Sequence, residues 1–302
     1  MRLPASLLAL GDRGPSWAAW LDRLPALLRD LVVEWELVVD GELVHGNTAV
    51  VVPVRLRDSS LAVLKVGWPH PEAEHEALAL QHWHGRGAVR LLRADPRRWA
   101  LLLERLEHRD LAEEWDVAAC EIVGGLYPDL HVPAPPQLAR LSAVAARWAD
   151  DLGAADLPVP RRLVEQARSL ARDLAADPAT DGVLVHGDLH FHNVLAVPGA
   201  TAVPADGGGW RAIDPKPLSG DPHVEPAPLL WNRWSELAGD VRGGVRRRFH
   251  AVVDAGGLDE DRAREWVIVR TLAVAMQEAT TNAVPDRDWI TALIATAKAV
   301  QD

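Results

Sequence analysis

His186-Gly187-Asp188-Leu189-His190-Phe191-His192-Asn193 follows the apolar run Gly182–Val185, and twenty-six residues after Asp188 a second apolar run, Trp210–Ile213, ends in Asp214-Pro215-Lys216. Short Val-, Leu- and Ile-rich runs bounded by polar residues read as strands, so this stretch predicts a strand–loop–strand region over 183–214. The Gly-, Ala- and Pro-rich segment 197–209 joins two short apolar runs and reads as a hairpin loop. On both sides the apolar residues recur at helical spacing. Upstream these segments are 111–126, 136–151 and 159–176; downstream they are 226–237, 242–255, 260–280 and 286–300. Before Leu106 the period changes. Glu34–Asp40, Gly46–Arg55, Leu61–Gly67, Val89–Arg93 and Trp99–Leu103 read as strands, with turns at Asp40-Gly41 and Asp58-Ser59-Ser60. Two helices interrupt them. The first covers 16–31 with Ser16 as N-cap; the second is Pro69–Trp83, with Glu72, Glu74 and Glu76 in its first half and Gly85 past its end. The expected architecture is α+β: a small β-rich N-lobe over 1–106 and a larger, mostly helical C-lobe over 107–302.

The bulk properties narrow the function. The chain of 302 residues is 48% apolar and 25% charged, which suits a globular protein with a real core. Its net charge of −11 argues against a nucleic-acid partner, whose binder carries a basic footprint. Excess acid suits a cationic small molecule. One cysteine, Cys120, allows no internal disulfide and reads as a small buried residue among Val117, Ala118, Ala119 and Ile122. The N-terminal residues lack a signal-peptide pattern, and no apolar run reaches the roughly 18 residues a membrane span needs. A cytoplasmic monomer with no membrane partner is expected. Arginine is abundant, yet the lysines are only Lys65, Lys216 and Lys298, so each is a candidate for a task that needs a compact point charge.

The loop of 186–193 and the end of the following strand carry the chemistry. Phosphoryl transfer from ATP is mainly positioning and charge neutralisation. It needs a carboxylate to orient the attacking hydroxyl, and oxygen ligands to hold magnesium against the phosphates. Asp188 and Asn193, five residues apart on one loop, set a base beside a metal ligand, and Asp214 at the end of the adjacent strand brings a second ligand to the same point. The histidines of the loop offer a competing reading as zinc or iron ligands, but their spacing with Asp188 matches no zinc motif.

HGDLHFHNVL (186–195) followed by IDPK (213–216) resembles the phosphotransfer motif of the aminoglycoside phosphotransferases and related kinases. IDPK together with Pro217-Leu218-Ser219-Gly220-Asp221-Pro222 and Leu229-Leu230-Trp231-Asn232-Arg233-Trp234 is most similar to the streptomycin 6-phosphotransferase and hydroxyurea phosphotransferase branch. The resemblance runs from about residue 40 to 235. It implies a bilobal protein-kinase-like fold and an ATP- and Mg2+-dependent phosphotransferase, with Asp188 as catalytic base, Asn193 and Asp214 as magnesium ligands, and His186 bracing the loop. Streptomycin leads the implied acceptors; hydroxyurea, another antibiotic or an amino sugar are alternatives, and a nucleotide-binding scaffold without catalysis is disfavoured by the intact base and ligands. Two departures stand out. Pro215-Lys216 replaces the Phe-Gly that protein kinases place after the metal-binding Asp, and Glu225 stands where relatives are expected to carry Asp.

The remaining candidates follow from position. Lys65 lies inside the apolar strand Leu61–Val66, where an ammonium is costly unless it meets an anion. It is expected to grip the nucleotide phosphates and to pair with Glu76, or failing that Glu72. Residues Glu42–Thr48, including Gly46, Asn47 and Thr48, occupy the place of a phosphate-covering loop, where Gly41 and Gly46 would let amides approach. The backbone at Glu104 and Leu106 is expected to meet adenine. Lys216 would neutralise charge on the transferred phosphoryl group. Asp221, Glu225 and Glu278 would attract the cationic acceptor, and Trp231 and Trp234 would stack on it.

Overall fold

The structure, a computed structural model, describes residues 3–154, 157–200, 208–282 and 284–301. Its contacts divide the chain into two units, Met1–Gly85 with Val89–Leu106, and Arg86–Ala88 with Glu107–Asp302. No helix among the described residues is long and apolar enough to cross a membrane.

The first unit opens with a short helix, α1 (Ala5–Leu8), and a long one, α2 (Pro15–Glu34). The expected cap at Ser16 is corrected. Pro15 takes the first helical position, where its missing N–H costs nothing, and Gly14 is the N-cap, with no side-chain cap bond. Trp17, Trp20, Leu21, Leu24, Leu28 and Leu31 return every three or four residues and are all buried. That stripe packs on β3 (Ala49–Arg55) and β4 (Leu61–Gly67), through Val50, Val52, Val54, Ala62, Leu64 and Val66.

The strand expected over Glu34–Asp40 shrinks to β1 (Val38–Val39), because α2 keeps its helical turn through Glu34. The Asp40-Gly41 turn does not make a hairpin between neighbours. Both β1 and β2 (Val44–His45) pair antiparallel with β3, at Val54–Arg55 and Val50–Val51 respectively. The sheet is completed by β5 (Leu91–Asp95) and β6 (Ala100–Glu104), in the order β1-β3-β4-β6-β5. Its one α-helix in sequence between strands, α3 (Glu76–Trp83), is shorter than the predicted Pro69–Trp83, since Pro71–Ala73 forms a separate 3-10 turn. His84 ends α3 in a left-handed conformation and Gly85, at φ +80°, continues it.

The second unit carries α4 (Asp116–Leu130), α5 (Leu141–Ala154) and α6 (Arg161–Ala176), then the short strands β7 (Val183–Val185), β8 (Val194–Ala196), β9 (Trp210–Ala212) and β10 (Leu218–Gly220). Four helices close it: α7 (Ala227–Trp231), α8 (Val241–Gly256), α9 (Glu260–Thr281) and α10 (Arg287–Ala299). β7 pairs with β10 and β8 with β9, both antiparallel. The expected helix over 226–237 is broken, with α7 ending at Trp231 and a 3-10 turn at Trp234–Leu237. The expected hairpin loop over 197–209 joins β8 to β9, but its residues 201–207 lie outside the described residues. Gly124 of α4 meets α8 so closely that an added Cβ would sit 2.7 Å from the Ala255 Cβ, so the two helices pack backbone to backbone. Cys120 is fully buried on α4, where burial pushes the pKa of its thiol up.

Candidate active site

Two antiparallel strand pairs hold the loop of residues 186–193. It leaves β7, which is anchored on β10, and enters β8, which is anchored on β9. Leu189 and Phe191 are fully buried and peg the loop into the second unit; the Arg233 and Arg248 guanidinium carbons sit 4.9 and 5.4 Å from the Phe191 ring. The pegs fix His190 between them and the backbone of Asp188 and His192 on either side.

His186 ties the loop to β9. It is fully buried, its Nε2 lies 3.0 Å from the Ile213 carbonyl, and its Nδ1 accepts from the Asp188 amide at 3.3 Å. A carbonyl can only accept and an amide can only donate, so the ring is the neutral Nε2-protonated tautomer. Burial holds its pKa below the ordinary histidine value, which agrees. With both nitrogens committed to backbone, His186 has no lone pair for a metal.

Gly187 sits at φ +80°, and an added Cβ would lie 2.2 Å from the Lys216 carbonyl oxygen. No L side chain fits there. The close approach arises because Lys216 donates its amide to the His186 carbonyl at 2.8 Å, drawing residues 214–216 against the loop.

This framework draws the backbone at Asp188, at Asn193 and at Ile213, the residue before Asp214, together. Asn193 Nδ2 donates to the Asp188 carbonyl at 2.9 Å, and the Ile213 amide donates to the Asn193 carbonyl at 2.9 Å. The nitrogen of the Asn193 amide is thus engaged, leaving its oxygen as the group able to ligate a cation. Asp214 follows Ile213 at φ +59°, a left-handed conformation rarely taken outside glycine and strained where it occurs. Lys216 Nζ lies 3.2 Å from Asp188 Oδ2. Burial pushes the Asp188 carboxyl up, but the charges of Lys216, His190 and Arg270 outweigh it and hold the pKa below the usual range. Two side-chain oxygen donors suit a hard cation that completes its shell with phosphate and water. Among the described residues, no group of three His, Cys, Asp or Glu is arranged to hold a metal ion. His192 instead pairs with Asp110 at 2.8 Å.

Lys65, in the first unit, is on the opposite face of β4 from Ala62, Leu64 and Val66, as the pleat requires. β4 is an interior strand between β3 and β6. Lys65 and Glu76 are both nearly buried, and Nζ lies 2.5 Å from Glu76 Oε1; Glu72 lies exposed on the preceding 3-10 turn. Gly46, Asn47 and Thr48 form the turn between β2 and β3. The Gly46 amide is committed to the Ala49 carbonyl at 3.0 Å, the Asn47 carbonyl accepts from Arg13 at 2.9 Å, and the Thr48 carbonyl accepts from the Trp68 amide at 2.6 Å. Gly41 lies outside this turn, and a Cβ there would meet Pro53 at 3.1 Å. Glu104 ends β6 with its carboxylate accepting from the Arg90 amide at 2.7 Å, and Leu106 closes the unit half-buried.

The acidic residues expected to face a cationic acceptor need correction. Asp221 is buried and its oxygens are taken: Oδ2 by Trp266 Nε1 at 2.7 Å and Arg262 Nε at 2.5 Å, Oδ1 by His223. Glu225 is fully buried and accepts from the His186 amide at 2.5 Å and the Gly187 amide at 3.3 Å. Both carboxylates brace the fold around the loop; neither is open to a ligand. Glu278 accepts from the Asp286 amide at 2.8 Å ahead of α10. Trp231 is half-buried, edge-on to Trp289 at 6.5 Å, and Trp234 packs partly buried on the same helical core. The sequence reading missed Arg270 on α9, which donates to the Gly187 carbonyl. Its signal was the same as for Lys65, a cation within an apolar run.

Residues 34–281 match the family model described as aminoglycoside/hydroxyurea antibiotic resistance kinase. A streptomycin 6-kinase of Streptomyces glaucescens is 38% identical over 277 residues, 89% of this chain and 86% of the relative. A hydroxyurea phosphotransferase of Kitasatospora aureofaciens is 36% identical over 301 residues, 95% of this chain and 84% of the relative. Among solved structures, the aminoglycoside phosphotransferase APH(4)-Ia superposes with a TM-score of 0.60 at 14% identity, covering 92% of this chain and 98% of the other. The β-rich first unit and helical second unit are those of a protein-kinase-like fold.

Proposed function

The chain belongs to the family of aminoglycoside/hydroxyurea antibiotic resistance kinases and is a phosphotransferase, and on that basis we propose that it moves the γ-phosphoryl group of ATP, with Mg2+, onto a hydroxyl of a cationic aminoglycoside or aminocyclitol of the streptomycin kind, inactivating it. The observation that carries this reading is the bonding of one loop to one strand end: Asn193 to the Asp188 carbonyl, Ile213 to the Asn193 carbonyl, and His186 to both Asp188 and Ile213.

In this reading Asp188 accepts the proton of the attacking hydroxyl through its carboxylate, which its cationic neighbours keep ionised. Lys216 orients that carboxylate from 3.2 Å and sets a compact positive charge beside the transferred group. Asn193 and Asp214 would hold Mg2+ through oxygen, the donor type that this cation takes. Bound there, the cation supplies charge neutralisation on the phosphate oxygens. Lys65, held by Glu76, grips the nucleotide phosphates in the manner of a point charge. The hairpin turn at Gly46, Asn47 and Thr48 and the backbone of Glu104 and Leu106 contribute further nucleotide contacts, with residues 1–106 the nucleotide-binding lobe and 107–302 the catalytic and acceptor lobe. Trp231 offers an aromatic face to a cationic acceptor.

The similarity to hydroxyurea phosphotransferase over most of the chain favours hydroxyurea as the second acceptor to try. The test is mass spectrometry of a panel holding streptomycin, other aminoglycosides, hydroxyurea and amino sugars, each incubated with protein, ATP and Mg2+. A streptomycin product heavier by one phosphate supports the reading. Phosphate on hydroxyurea alone would replace it, and no product with any acceptor would end it.

A further inference from the structure

α9 delivers a half-buried guanidinium to the loop from a run of buried neighbours. Arg270 stands in Val267-Ile268-Val269-Arg270-Thr271-Leu272, where Val267, Val269, Thr271 and Leu272 are fully buried and Ile268 nearly so. An arginine in such a run is sustained by the acceptors it reaches. Its Nη2 donates to the Gly187 carbonyl and its Nη1 to the Val224 carbonyl at 3.1 Å, while its Cζ lies 5.9 Å from the Trp231 ring centre. Val224 directly precedes Glu225, whose carboxylate takes the amides of His186 and Gly187. Gly187 is therefore gripped twice: its N–H by Glu225 and its C=O by Arg270.

The second grip decides more than the place of a glycine. The Gly187 carbonyl and the Asp188 amide belong to one planar peptide unit, and that amide is the one meeting His186 Nδ1. Gly187, at φ +80° and without a Cβ, puts little steric limit on this plane, so that apart from Arg270 the 3.3 Å contact to His186 is what holds it. We propose that Arg270 is a positioning residue for phosphotransfer: by holding the carbonyls of Gly187 and Val224 in one fork, it fixes the plane of the Gly187–Asp188 peptide and with it the direction of the Asp188 carboxylate. The proposal rests on the assignment of Asp188 as the base. It also requires arginine specifically, because the two carbonyls are met by two nitrogens of one rigid plane, which a lysine ammonium cannot reproduce.

The test compares wild type with Arg270→Met and Arg270→Lys, reading kcat, KM for ATP and acceptor, Tm, and hydrogen–deuterium exchange of the segment 186–190. A reacting group displaced by about 1 Å loses about a hundredfold in rate, so Arg270→Met should lower kcat by about that factor and speed exchange at 186–190. KM for ATP should stay within about twofold, because the guanidinium does not bind nucleotide in this reading. Arg270→Lys should regain Tm without regaining kcat. A kcat within about twofold of wild type in both variants, with only Tm lowered, would reduce Arg270 to packing and overturn the proposal. If wild type phosphorylates nothing, the assignment of Asp188 fails instead, and the exchange at 186–190 still decides the clamp: unchanged exchange in Arg270→Met overturns it.

Discussion

Lys216 Nζ stands 3.2 Å from Asp188 Oδ2, so the lysine two residues past Asp214 rests on the proposed base rather than only on the group being transferred. Burial raises the Asp188 carboxyl, and Lys216 is the foremost of the charges that bring it below the usual range. Lowered pKa means that the base is ionised, and competent, down to lower pH. Lys216→Met removes that support, so the acid limb of the kcat/KM profile moves to higher pH. A pH–rate series on both proteins checks this, and an unmoved limb would show that Lys216 does not set the ionisation of the base.

Gly187→Ala places a Cβ 2.2 Å from the Lys216 carbonyl oxygen on a backbone at φ +80°. The loop and the 214–216 segment must part. A clash with backbone added to left-handed strain costs about 2–4 kcal/mol, and the shift should reduce kcat by about a hundredfold. Thermal unfolding and steady-state kinetics on the same preparation test it; wild-type values in both would mean that the close approach is not real.

Glu225→Asp shortens a buried carboxylate that spans two amides of the loop. Withdrawing it by about one bond, ~1.5 Å, breaks those contacts, and each buried amide left unbonded costs about 1–3 kcal/mol. Burial raises the Glu225 carboxyl, but His131, His186 and Arg270 bring it below the ordinary glutamate value. The stability this ionised group adds is therefore complete above the ordinary glutamate range and is lost as pH falls through the lowered value. Glu225→Gln cannot titrate, so the stability gap between it and wild type should narrow on acidification. Denaturant unfolding of both proteins over a pH series reads that gap; one that stays constant contradicts the assignment.

Lys65→Ala removes a nearly buried ammonium bonded to Glu76 at 2.5 Å. A charge-assisted contact to phosphate is worth about 2 kcal/mol, so KM for ATP should rise by more than about tenfold while KM for the acceptor holds. Equal rises in both constants would point to general unfolding rather than loss of a nucleotide contact.

How far the sequence foretold this arrangement depends on the range of the interactions concerned. The spacing of Asp188, Asn193 and Asp214 was legible because the loop and both flanking strands lie within thirty-two residues, 183–214. Lys65 and Glu76 were legible for a similar reason, being eleven residues apart. β10 was not, because three residues carry no period and its partner β7 is distant. Asp221 and Glu225 looked like surface acids because their burial depends on Arg262, forty-one positions from Asp221, and on amides thirty-nine and thirty-eight positions before Glu225. The excess length given to α3 arose from reading three acidic residues as a helix start, where prolines at 69 and 71 favour a 3-10 turn.

The scarcity of lysine has a practical consequence for covalent chemistry. Side-chain amines occur at three positions: Lys65 is nearly buried, Lys298 lies exposed on α10, and Lys216 is 39% exposed beside Asp188. An amine-selective acylating reagent would therefore meet Lys298 first and Lys216 next, with peptide mapping able to tell the two apart. So sparse a background makes Lys216 an address at which an irreversible inhibitor of this protein could be anchored.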